Sequence, residues 1–115
     1  MAITFGRSTL SLATGLITST GALVYTCPTT ASSVTIMAAQ VANVDGSNAE
    51  SVDFALDVGG AGTTIRYYAK DLNLATGAAI NLLGGNHVLA PNDKLRARSD
   101  TPSGADLIVS YTIKS

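Results

Sequence analysis

One cysteine, one histidine and no tryptophan occur in 115 residues, and each shortage closes off a class of chemistry. A lone Cys27 excludes an intrachain disulfide framework and leaves no set of thiolates for zinc, so stability must come from packing. Cys27 precedes Pro28 at the end of an apolar stretch, where a free cysteine is ordinarily a small buried apolar residue and not a nucleophile. A single His87 cannot form a histidine metal cluster, and no sequence pattern sets it beside a Ser or Cys nucleophile as its base. Following Gly85-Asn86, it reads as a surface imidazole beside a turn. No cofactor is expected, and no catalytic constellation assembles.

Charge is also scarce. Charged residues make up 13% of the chain, about half the roughly 25% usual in soluble domains. They are scattered, sum to −1, and form no basic stripe of the kind that neutralises phosphates, so nucleic acid is not an expected partner. Ser, Thr, Ala and Gly take the place of charge. A surface held permanently against a neighbouring subunit is depleted in charge, but a neutral, Thr-rich β surface on a monomer looks the same in composition. Long apolar runs are missing too: after Arg7, the stretch from Leu10 to Ile17 is interrupted by Ser11, Thr14 and Gly15. It therefore lacks the apolar centre of a signal peptide, and nothing approaches the ~18 apolar residues of a membrane helix. The expectation is a chain made in the cytoplasm, with no membrane partner.

What is present is hydrophobic content, 46%, enough for one compact core in a chain of one-domain length. Its arrangement has period two, the signature of strands with one face buried. Val52, Phe54, Leu56 and Val58 share one face, while Ser51, Asp53, Ala55 and Asp57 share a face expected to meet solvent. Ile65, Tyr67 and Ala69 alternate with Arg66, Tyr68 and Lys70, and Leu95 and Ala97 with Lys94, Arg96 and Arg98. Leu107, Val109, Tyr111 and Ile113 make the clearest stripe, with Ile108 the one apolar residue opposite. Shorter candidates are 22–26, 79–83 and 87–90. The segment 33–44 changes phase, which predicts a bulge or bend between Met37 and Gln40.

Turn residues separate these runs at Cys27-Pro28, Asp45-Gly46, Gly59-Gly60-Ala61-Gly62, Gly84-Gly85-Asn86, Pro91-Asn92-Asp93 and Thr101-Pro102-Ser103-Gly104. The only helix candidate, 71–78, contains Gly77 and reads better as a loop. The fold expected is all-β: an antiparallel β-sandwich, jelly-roll-like, of about eight strands over residues 21–115. Residues 1–20 alternate weakly and are read as either an N-terminal arm or a first edge strand.

Features that resemble chemical motifs have structural explanations. Asp45-Gly46-Ser47-Asn48-Ala49-Glu50 gathers oxygen ligands, but it lacks EF-hand spacing and suits a hairpin loop. The glycine clusters lack the Lys-Ser/Thr ending and strand-to-helix context of a phosphate loop. Asp53 and Asp57 are ~13 Å apart along one strand, beyond the usual reach of a glycosidase pair. Lys94, Arg96 and Arg98 read as a solvated strand face.

Several stretches carry a resemblance: Ala22-Leu23-Val24-Tyr25-Thr26-Cys27-Pro28, Ile65-Arg66-Tyr67-Tyr68-Ala69-Lys70-Asp71-Leu72, Leu82-Leu83-Gly84-Gly85, Leu89-Ala90-Pro91-Asn92-Asp93-Lys94-Leu95-Arg96-Ala97 and Val109-Ser110-Tyr111. Over most of residues 22–113 the chain resembles small virion structural proteins of tailed bacteriophages. Cys27 stands where similar sequences often carry Val, an apolar exchange of little consequence. The resemblance implies a virion subunit, foremost a capsid cement or decoration protein that bridges capsomers, with the major capsid protein or other virion proteins as partners. It implies a homotrimer whose contacts lie at the sandwich edges. The N-terminal residues Phe5, Arg7, Leu10 and Leu12 are the candidate interface. Neck, tail or fibre-associated subunits are the alternative, as is a carbohydrate-binding module of the tail, although aromatics for sugar stacking are only 5% of the chain.

Overall fold

The computed structural model describes residues 3–31, 33–83, 85–101 and 104–114. Nine strands run through them: β1 (Ile3–Ser11), β2 (Leu23–Thr26), β3 (Ser33–Asn43), β4 (Glu50–Asp57), β5 (Ile65–Leu74), β6 (Ala79–Asn81), β7 (His87–Leu89), β8 (Lys94–Ser99) and β9 (Ala105–Lys114). Single 3-10 turns at Thr20–Ala22 and Val58–Gly60 are the only helical pieces among the described residues.

The strands form two antiparallel sheets packed face to face. One sheet has the order β1-β9-β3-β6, with β7 also pairing β3; the other has the order β2-β8-β4-β5. The pairings are nested: β1 with β9, β2 with β8, β3 with β6 and β7, and β4 with β5. A long antiparallel hairpin rolled across two sheets produces this nesting, so the sandwich is jelly-roll-like, as its alternating pattern led one to expect.

The interior follows the period-two stripes. Val34, Ile36, Val41, Leu107 and Val109 from one sheet meet Val52, Phe54, Leu95 and Ala97 from the other, all buried. Tyr25 lies over Tyr111 with ring centroids 4.3 Å apart, and Phe54 over Tyr68 at 5.2 Å. Opposite Tyr111 is Gly6, where a Cβ would come within 2.7 Å of the tyrosine ring, so only glycine leaves room for it. The bulge in β3 falls between Ile36 and Ala38. Past it, Ala39 and Val41 continue the buried stripe, while Ala38 pairs Ser110 on the outer face. A bulge in β5 turns Tyr68 inward and leaves Tyr67 outside, and β5 extends to Leu74 through part of the segment read as a loop. The turns at Gly84-Gly85-Asn86 and Thr101-Pro102-Ser103-Gly104 include Gly84, Pro102 and Ser103, which lie outside the described residues.

Of the two readings of the N-terminal segment, residues 3–11 follow the edge-strand one: β1 pairs β9 along its whole length at the edge of its sheet, and Leu12 beyond it is fully buried in the core. Two other expectations change. The face of β4 and β8 read as solvated is covered instead, because the segment after Leu12 crosses it. Arg98 Nε donates to the Gly15 carbonyl at 2.6 Å, Arg96 Nη1 to the Ser19 carbonyl at 3.0 Å, and Ser99 N–H to the Ala13 carbonyl at 3.1 Å. Asp53, Ala55 and Asp57 are thereby buried, whereas Val58, counted with the core stripe, is exposed. Finally, His87 is half-buried and packs edge-on against Tyr68 at 4.9 Å, because β7 sits at the sheet rim opposite β5.

Candidate interaction surface

The buried carboxylates anchor loops. Asp57 accepts from Gly62 N–H at 3.0 and 3.1 Å, tying down the glycine-rich turn, and from Arg96 Nε at 2.9 Å. Asp53 accepts from the Asp71 N–H at 2.6 Å and from Arg98 Nη1 at 3.2 Å. Asp93 accepts from Gly59 N–H at 2.9 Å and Ala90 N–H at 3.0 Å. In the Asp45 loop, Asp45 Oδ1 accepts from Ser47 and Asn48 N–H, and these bonds hold its carboxyl below the usual carboxylate range. Glu50, from the same run, is buried while Asp45 stands at the loop surface. Burial, followed by the charges of Asp100 and Asp45, raises the Glu50 carboxyl, with the Thr101 hydroxyl opposing. Burial and the nearby Asp93 raise the Cys27 thiol, which lies 3.8 Å from the Pro28 carbonyl and 3.9 Å from that of Leu89. A neutral, enclosed thiol is a packing group.

Exposed apolar side chains concentrate elsewhere. In antiparallel sheets, directly paired residues project to the same side. On the outer face of the five-stranded sheet, the registers align Ile3, Phe5, Arg7, Thr9 and Ser11 of β1 with Lys114, Thr112, Ser110, Ile108 and Asp106 of β9. The same face continues through Thr35, Gln40 and Ala42 of β3 and Val88 of β7, with Met37 bulging outward. Ile3 is 62% exposed, Phe5 76% and Val88 64%, with Met37 and Ile108 about half exposed. Beside this face a shallow groove of about 340 Å³ opens between the ends of β1 and β9, lined by Thr9, Leu10, Ser11, Asp106, Leu107 and Ile108.

Of the four residues named as interface candidates, Phe5 and Arg7 stand on this face, adjacent along one edge strand. Leu10 points the other way, half-buried against the core, and Leu12 is wholly inside it. Ile3, Met37, Val88 and Ile108 share this surface, and of these only Ile108, apolar on the wet side of β9, is signalled by the sequence pattern.

A second, smaller cleft of about 270 Å³ lies over the other sheet, where Leu16 faces Tyr67, Lys70 and Arg98. Lys70 Nζ sits 5.1 Å from the Tyr67 ring centre, a cation–π contact at an exposed aromatic. No protein-family model, curated protein or solved structure matches this chain at a significant level.

Proposed function

We propose that the chain is a structural subunit of a tailed-bacteriophage virion, of the capsid cement or decoration type, which stabilises the shell by bridging capsomers. The observation that carries the reading is the asymmetry between the two sheet faces. One is partly covered by the chain's own residues 13–20, which leave Leu16 and Tyr67 exposed over it; the other leaves Ile3, Phe5, Met37, Val88 and Ile108 open, with Arg7, Asp106 and Lys114 as its charges. Several large apolar side chains collected on one open face mark a contact surface more often than a monomer's outer wall. The jelly roll is a recurrent capsid architecture, although a fold alone assigns no role. A cement subunit acts by adding interfaces that internal pressure must break before the shell opens. The major capsid protein is the partner proposed, with the subunit itself in an oligomer.

Cryo-electron microscopy of the particle that carries the chain tests this directly. Density for the sandwich on the head shell, and earlier DNA release on heating after its removal, are expected. Its absence from the head, or shells equally heat-stable without it, would overturn the placement.

A second reading, a carbohydrate-binding module of the tail, is favoured by Tyr67 and Lys70 at the smaller cleft. Sugar binding lost on Tyr67→Ala, read on a glycan array, separates it from the first.

A further inference from the structure

We propose that two copies of this chain associate through β1, antiparallel across a twofold axis, to join their five-stranded sheets into one continuous sheet. The pairing is a property of the chain itself and does not depend on the virion assignment.

The inference rests on which backbone groups point outward. Leu12 N–H donates to the Ala105 carbonyl at 2.8 Å, continuing the unbroken β1–β9 register. Because backbone direction alternates along a strand, Leu10, Ser8, Gly6 and Thr4 also aim their N–H and C=O at β9. Ile3, Phe5, Arg7, Thr9 and Ser11 therefore direct theirs away from the sheet, and among the described residues nothing bonds to them.

Natural edges are guarded by short length, bulges, proline or several charges. The other edges of this sandwich have such guards: β6 and β7 are three residues each, β2 is four with a register shift, and β5 is bulged and carries Arg66, Lys70 and Asp71. β1 is nine residues long, regular, free of proline, and has one charge. A ring of three would need β1 to meet one of the guarded edges. Only self-pairing joins two open ones, and it is isologous, which points to a dimer instead of the trimer that the resemblance implies.

Charge selects the register. Outward-directed residues must face each other, which allows Arg7 opposite Arg7 of the second copy, Phe5 opposite Phe5, Phe5 opposite Arg7, or Arg7 opposite Thr9. The last makes as many backbone bonds as the third but gives the guanidinium a hydroxyl and no ring. The first sets like charges face to face. The third places each guanidinium beside an exposed ring, sets Ile3 against Thr9, and makes more backbone bonds than the second. Its twofold axis passes between the two Gly6 residues, at a close-approach position where no side chain intervenes. A single strand pair is a small interface, so a dissociation constant in the micromolar range is expected.

The test is mass in solution, by light scattering or sedimentation equilibrium from about 10 to about 500 µM, a span covering that range. The wild-type chain should pass from monomer to dimer. Arg7→Pro removes an N–H that the monomer does not use, so it should keep the fold, read by circular dichroism, and abolish the dimer. Ser8→Pro, one residue along, removes a β9 bond and should lower the melting temperature. Two variants of the exposed Phe5 test the register without touching the backbone: Phe5→Lys should weaken dimerisation roughly tenfold by facing Arg7 of the other copy, and Phe5→Glu should tighten it. A wild-type chain monomeric throughout, a dimer that survives both Arg7→Pro and Phe5→Lys, or equal responses to Phe5→Lys and Phe5→Glu would overturn the proposal.

Discussion

Arg96 Nε donates to Asp57 Oδ2 at 2.9 Å in an ion pair from which water is excluded on both sides. Arg96 also caps the Ser19 carbonyl, and Asp57 holds Gly62 N–H, so one pair links β8, β4, the covering segment and the glycine-rich turn. Breaking a buried pair strands the surviving charge. Asp57→Ala is expected to cost about 3–5 kcal/mol in urea unfolding. Replacing both members with apolar residues, Asp57→Leu with Arg96→Met, should recover a large part of that loss, since no orphaned charge remains.

Glu50 gives a pH-dependent prediction. Burial raises its carboxyl in the folded state, so the charged form is the one the fold disfavours. The unfolded chain releases this proton near the ordinary value of 4.5, before the folded chain does. Stability from this residue is therefore greatest below that value, falls as pH rises toward the raised folded value, and is level beyond it. Glu50→Gln should melt higher than wild type at pH 7, with the gap closing below pH 4.5. Melting curves at several pH values check it; a gap of equal size at pH 4 and pH 7 would contradict it.

Gly104 is fixed by the same carboxylate. A Cβ there would collide with Glu50, while the Gly104 carbonyl accepts from Val44 N–H at 3.0 Å and Asp45 N–H at 3.2 Å, so the backbone has little room to retreat. Gly104→Ala should destabilise by about 1–3 kcal/mol, the usual cost of overpacking. Combining it with Glu50→Ala should relieve most of the cost, a coupling that a double-mutant cycle measures.

Leu12 locks the covering segment to the core. Truncation to alanine leaves a cavity between the sheets and is expected to cost about 2–5 kcal/mol. Leu10→Ala, at a half-buried position beside it, should cost less. Denaturation midpoints of the two variants give the comparison, and equal losses would show that Leu12 is not the anchor.

Cys27 should react with a thiol reagent only as fast as the chain opens. Its sulfur is enclosed and its thiol is raised by burial, so both access and thiolate are lacking. Labelling complete within seconds under native conditions, without unfolding, would refute its placement.

Local pattern decided a great deal here. Alternation alone marks the stripes of β4 and β9 that form the interior, because a strand buried on one face must repeat every two residues. It marks the bulge at Met37 too, since Ile36 and Ala39 cannot share a face otherwise, and it requires one of Tyr67 and Tyr68 to turn inward. Two-residue periodicity cannot say what lies above a face. Asp53, Asp57 and Arg96 have the composition of a wet surface and became an interior, with Arg98 half-covered beside them, only because residues 13–20, distant in sequence, fold over them. β1 was ambiguous for the opposite reason: before Leu10 its inward residues are Thr4, Gly6 and Ser8, too small or too polar to stand out, and long-range pairing with β9 is what makes it a strand. Nesting of the strand pairs, and with it the gathering of Ile3, Phe5, Met37, Val88 and Ile108 on one outer face, depends on contacts between the two ends of the chain, and no local rule encodes those.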